Sequence, residues 1–106
     1  MDELVNMIKE MDIPFAYDHF AEGESVKPPF ICFLLPRSDN FSADGIVYFK
    51  INEAHIELYT DVKSPDIEDK VESVLYKYGI FYNKTEAWID DEKLYEVLFS
   101  FEMEES

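Results

Sequence analysis

Residues Ile46 to Thr60 read IVYFKINEAHIELYT, and whether they make one strand or two decides the architecture around them. Val47, Phe49 and Ile51 share one parity, whereas Ala54, Ile56 and Leu58 share the other. A period-two pattern changes face only at a bulge or a turn, and Asn52-Glu53 sits where that change is expected. One bent strand or a tight hairpin satisfies the pattern equally.

Just upstream, NFSADG at residues 40–45 looks like the first half of a calcium loop, with oxygen-bearing side chains at alternate positions and glycine sixth. An EF-hand loop needs acidic ligands at its odd positions and a bidentate Glu at the twelfth. Counted from Asn40, the first position is neutral, the third is Ser42, and the twelfth falls on Ile51, which has no ligand atom. Asp44-Gly45 is instead a strong turn signal, because both residues tolerate positive φ and apolar runs flank them. RSDNFSADG, residues 37–45, therefore reads as a hairpin loop, preceded by the apolar run from Phe30 to Leu35. That run is too short for a helix and is bounded by prolines, so it reads as a central strand.

The clearest helix follows Thr60. Ser64 is placed to cap it, Pro65 suits the first helical position, and Asp66, Glu68 and Asp69 complement the positive end of its dipole. Ile67, Val71, Val74, Leu75 and Tyr78 form one apolar stripe, and Gly79 stands where a C′ residue ends a helix. A second, shorter helix is expected over residues 2–11, with Leu4, Val5, Ile8 and Met11 on its inner stripe, stopped before Pro14. FAYDHF, residues 15–20, alternates weakly as an edge strand, and AEGESVKPP is a loop. At the far end, FYNKTEAWI, DDEK and LYEVLFSFEM read as strand, turn and strand. Tyr95, Val97, Phe99, Phe101 and Met103 point to the core there, and the closing Glu-Glu-Ser is expected to fray. The order implies one α+β domain over residues 1–106, an antiparallel sheet of four to five strands with two helices packed on one face.

Composition narrows the function classes. Hydrophobic residues make up 47% and aromatics 16% of 106 residues, enough to bury roughly two-thirds of the unfolded surface. The amino-terminal stretch MDELVNMIKEMD is acidic and amphipathic, unlike a secretory signal, and no apolar run nears the ~20 residues of a membrane span; a soluble cytoplasmic protein is expected. Twenty-four acidic residues against nine basic ones leave a net charge of −15, which opposes nucleic-acid binding and contact with anionic membranes. A basic partner, or a passage through which DNA slides without sticking, suits that charge.

Chemistry-bearing patterns are few. Cys32, the single cysteine, lies in FICFLLP and reads as a buried small hydrophobe; no local signature joins it to His19 or His55. His55-Ile56-Glu57 has the H-x-E of zinc deaminases without the P-C-x-x-C partner, so it reads as a surface pair on one strand face. Asp90-Asp91-Glu92 reads as a solvated turn. No catalytic, cofactor-binding or metal-ligating residue is expected, and the chain is expected not to be an enzyme.

ADGIVYFKINEAHIELYTDVKSPDIEDKVESVL and GIFYNKTEAWIDDEKLYEVLFSFE, with the earlier IPFAYDHF and PPF, nonetheless form an ordered series. In that order and spacing the chain resembles a family of small neck and tail-completion proteins of long-tailed phages and prophages of Gram-positive bacteria. The resemblance covers nearly the whole chain and implies a structural, tail-terminator-like or head-tail joining role without catalysis or cofactor. It further implies self-association into a hexameric ring, contacts with the tail tube and neck proteins, and no specific nucleic-acid or membrane binding. Assembly in the host cytoplasm followed by incorporation into the virion is implied too. An acidic inhibitor or DNA mimic that binds a basic host protein is the alternative from another class.

Overall fold

A computed structural model of the chain describes residues 2–20, 26–43 and 46–105, and among these the side chains of all but 39–43, 46–50 and 105. Its elements run α1 (Asp2–Glu10), β1 (Phe15–Tyr17), β2 (Phe30–Ala43), β3 (Ile46–Thr60), α2 (Pro65–Lys77), β4 (Tyr82–Ile89) and β5 (Leu94–Glu105). The five strands form one sheet in the order β1-β2-β3-β5-β4. Every pairing is antiparallel except β1 with β2, which is parallel. The fold is thus α+β as expected, but its sheet is mixed. Twelve residues separate β1 from β2, about the length a connection between parallel neighbours needs.

Ile46 to Thr60 is a single strand. The register of β3 with β5 runs unbroken from Lys50↔Glu105 to Thr60↔Tyr95, so neither a bulge nor a hairpin falls at Asn52-Glu53 on that side. The inward column of β3 is not wholly apolar, and so its parity does not change face. Asn52 continues the inward column of Ala54, Ile56, Leu58 and Thr60, and it is buried at 8% exposure. At that level the irregularity lies across the ladder, where β2 spends three steps, Leu34 to Arg37, opposite two steps of β3; a second one falls near the start of β3, where two steps, Val47 to Phe49, face the single step from Phe41 to Ser42.

That bulge also corrects the expected loop at 37–45. β2 does not stop at Leu35 but continues through Pro36 to Ala43. Proline is tolerated because β1 pairs β2 only as far as Phe33; beyond it, β2 is an edge strand, and at a bulged edge the missing N–H breaks no ladder bond. The expected Asp44-Gly45 turn lies outside the described residues, as do residues 21–25 of the expected loop. Since the β2–β3 ladder reaches Ala43↔Ile46 while the β3–β5 ladder ends at Lys50, the two strands outrun the rest of the sheet as an arm. At the other end β5 remains paired to Glu105, so the expected fraying does not reach that residue.

Both helices lie on one face of the sheet, joined by Lys77 Nζ and Glu10 Oε1 at 2.5 Å. α2 keeps the predicted stripe, with Val71 and Leu75 fully buried and Ile67, Val74 and Tyr78 packed against them. Its start is capped as expected, Ser64 Oγ accepting from the Ile67 N–H at 3.4 Å. Its end closes with Gly79 at φ 69°, where the Ile80 N–H reaches the Leu75 carbonyl and the Gly79 N–H the Tyr76 carbonyl. This pair of bonds is the left-handed helix stop that glycine permits without a Cβ clash. α1 buries Leu4, Met7 and Ile8; Met7, absent from the expected stripe, takes the inward place that Val5 holds only in part.

Beneath the helices the core is built from Ile31 and Phe33 of β2, Ala54, Ile56 and Leu58 of β3, and Val97, Phe99 and Phe101 of β5. One polar group belongs to this side. Glu68 of α2 is only 4% exposed, and its carboxylate is held between Lys63 Nζ at 2.7 Å and Lys84 Nζ at 2.8 Å. Burial pushes its pKa up, but the two ammonium groups outweigh burial and hold it below the usual carboxylate value. A carboxylate so placed needs both cations to offset desolvation, which ties α2 to β4.

Candidate functional site

The face of the sheet opposite the helices has no second layer among the described residues. Alternation decides what it displays: Phe30, Cys32 and Leu34 from β2, Glu53, His55, Glu57 and Tyr59 from β3, and Glu96, Leu98, Ser100 and Glu102 from β5. The register sets these columns side by side, with Cys32 opposite Glu57, Glu57 opposite Leu98, and Tyr59 opposite Glu96. Most of the face is half-buried by neighbouring side chains rather than by a covering element.

Its centre is polar and negative. The Tyr59 hydroxyl lies 3.3 Å from Glu57 Oε1 and 3.0 Å from Glu96 Oε2. One phenolic proton serves one acceptor at a time, so the second carboxylate faces an oxygen without a proton of its own. Burial first, then the Glu96 charge, raises the Glu57 pKa above the ordinary carboxylate value, with Tyr59 and His55 opposing. Burial and the same two carboxylates drive the Tyr59 phenol well above its ordinary value. The Phe30 ring stacks on Tyr59 with centroids 5.0 Å apart, and Phe20 meets Phe30 edge-on at 5.5 Å.

This centre implies a stability effect with a definite sign. A carboxyl whose folded pKa lies above its unfolded value favours the fold in its protonated form; the advantage is complete below the unfolded pKa and is lost as pH rises through the folded one. Glu57→Gln, which removes the charge and keeps the shape, is therefore expected to unfold at higher denaturant than the wild type at pH 7. The two midpoints should converge toward pH 4. A lower midpoint for Glu57→Gln at neutral pH would show that the carboxylate is stabilised where it stands.

Across β2, β3, β5 and β4 the face dips into a shallow hollow lined by Arg37, Glu53, Ser100, Glu102 and Asn83, with Phe81 and Phe101. Phe81 is 89% exposed. Glu53 is held by Arg37 Nε at 2.6 Å and His55 Nε2 at 3.1 Å; the His55 contact, ahead of Arg37, lowers its pKa against burial.

The residues weighed in the sequence are placed as follows. Cys32 is buried on the open face, where burial and then the charges of Glu57, Asp18 and Glu96 push its thiol up to about 11, the reverse of an activated nucleophile. Neither histidine activates it: His19 pairs with Asp18 at 2.8 Å and His55 with Glu53. His55 and Glu57 do share a face, but His55 bonds Glu53 rather than Glu57. Asp90 is exposed in the turn between β4 and β5 and pairs with Lys93 at 2.9 Å, with Asp91 and Glu92 exposed beside it. Of the calcium-like stretch, 40–43 belongs to β2 while Asp44 and Gly45 lie outside the described residues. No group of three or more His, Cys, Asp or Glu among the described residues is arranged to hold a metal ion, and no helix among them is long and apolar enough to cross a membrane. Sequence reasoning missed the Glu57–Tyr59–Glu96 arrangement. Only the parity of Glu57 and Tyr59 was readable; Glu96 joins them through a register between strands 37 residues apart.

No protein-family model matches the chain, and no curated protein matches it. Among solved structures, it is similar to a chain of the virion of a native gene transfer agent (GTA) particle, with a TM-score of 0.61 over 92% of this chain and 82% of that one. Sequence identity is 10%, so the likeness is one of fold.

Proposed function

We propose that this chain is a structural, non-enzymatic virion protein of a phage-like particle, acting at the tail end or the head-tail junction as a tail-completion or neck protein. The observation that carries the reading is the fold, shared over 92% of the chain with a virion component. The sequence resemblance to the neck and tail-completion family supports it independently of the fold. In this reading copies of the chain, each a single domain, assemble in the host cytoplasm as a ring, hexameric by the resemblance, against tail-tube and neck proteins. The net charge of −15 suits a ring that DNA passes without sticking, since like charge denies phosphates a binding surface.

Such a protein waits in solution and associates when a tail end offers a template. At −15 per chain, subunits repel, and salt relieves the repulsion: the Debye length falls from about 10 Å at 0.1 M to about 3 Å at 1 M. Sedimentation velocity is expected to show a monomer or small oligomer at low salt and larger species as salt or concentration rises, with binding to purified tail tubes. An inhibitor or DNA mimic, favoured by the same charge, behaves oppositely, its complex with a basic protein weakening as salt rises. A protein that stays monomeric and ignores tail tubes at every salt concentration refutes the assembly reading.

A further inference from the structure

The two faces of the sheet treat their carboxylates differently. On the helix side, four glutamates are matched by lysines: Glu68 with Lys63 and Lys84, Glu72 with Lys84, Glu86 with Lys63, and Glu10 with Lys77. At the centre of the open face, Glu57 and Glu96 meet at the Tyr59 hydroxyl, and among the described residues no Lys or Arg forms an ion pair with either. They stand among Phe30, Leu34 and Leu98, which are half-buried without any layer above them.

The size of this face fits a protein partner. The ladders, 3, 12, 11 and 8 paired positions long, at ~3.4 Å per residue and ~4.8 Å per strand cover about 550 Å², which suits a partner at the small end of specific interfaces. Charge then decides the occupant. Stacking the open faces of two copies brings four central carboxylates together in a drying interface, where like charges are costly. DNA is excluded by the same sign. A surface carrying lysine or arginine on an apolar ground satisfies both the carboxylates and the half-buried apolar side chains around them.

We propose that the open face of the sheet is the docking surface for a partner protein that presents a basic, partly apolar patch, its cationic side chains neutralising Glu57 and Glu96. The inference rests on the assembly reading and gives its partner surface a chemistry. Desolvation already weighs on Glu57, and a cation laid over the pair relieves it without a change of shape.

The probe is a short peptide of alternating arginine and valine, with a glutamate-valine peptide as its control, titrated into the full chain labelled for amide NMR. The expected result is shifts centred on β3 and β5 around Glu57 and Leu98. Affinity should fall at least tenfold in the double variant Glu57→Gln/Glu96→Gln. It should stay within twofold in Asp66→Asn/Asp69→Asn, which removes the same charge from the exposed start of α2. Both double variants are checked for an unaltered fold by their amide spectra. Shifts centred on the helices, equal losses in the two doubles, or no binding overturn the proposal. So does concentration-dependent broadening of the same amides without peptide, which assigns the face to a second copy. Each of these outcomes leaves the tail-tube sedimentation result untouched, so failure here is distinguishable from failure of the assembly reading.

Discussion

Phe99→Ala is expected to destabilise the chain by about 3–5 kcal/mol, the usual cost of deleting a buried aromatic ring. Phe99 is fully buried on the inner side of β5, the strand between β3 and β4, with Ile56 opposite it on one side and Lys84 on the other. Its ring meets the Tyr82 ring at 5.7 Å and lies 5.9 Å from the Lys84 ammonium. Truncation therefore opens a cavity under the helices and loosens Lys84, one of the two cations that hold Glu68. Leu98→Ala, one residue earlier and on the open face, is the comparator and is expected to cost about 1 kcal/mol. Denaturant unfolding of both variants reads the difference. Equal effects would mean that the two faces are packed alike and that the helices do not cover the inner one.

The second large effect is expected from Leu75→Ala, at about 2–5 kcal/mol. Leu75 is fully buried at the centre of the α2 stripe, and its carbonyl receives the Ile80 N–H that ends the helix. From the helical period alone, Glu72 would serve as a solvent-facing control. The structure corrects that choice: Glu72 accepts from the Tyr82 hydroxyl at 2.6 Å and from Lys84 Nζ at 3.1 Å. Glu72→Ala is accordingly expected to cost about 1 kcal/mol, whereas Asp69→Ala, exposed and without such partners, should stay within about 0.5 kcal/mol. An order other than Leu75, Glu72, Asp69 in measured stability loss would place α2 in the wrong rotation about its axis.

These pairs of neighbours with unequal effects mark how far the sequence could be read. A helix writes its boundaries and inner face into consecutive residues. Ser64, Pro65, the Ile67-to-Tyr78 stripe and Gly79 therefore identified α2 completely, and DDEK between two alternating runs identified the β4–β5 hairpin. The alternation Tyr95, Val97, Phe99, Phe101, Met103 likewise assigned β5 its inner face, because period two is local information. The −15 charge was also readable from composition alone.

What depended on a partner strand was not local and could not be read. Pro36 and Asn52 each break a rule for strand interiors, and each is accommodated by something distant in sequence: the early end of β1 leaves β2 with a free edge at the proline, and the β5 ladder carries Asn52 inward in an unbroken register. The parallel pairing of β1 came from the path of the chain, since a three-residue strand carries no mark of its direction. Glu57 and Tyr59 showed only that they share a face, while Glu96, Phe30 and Cys32 reach them by register across three strands. Local chemistry thus determined α2, the β4–β5 hairpin and the inner face of β5. The negative, half-buried centre of the open face is a product of strand pairing, and long-range register alone decided it.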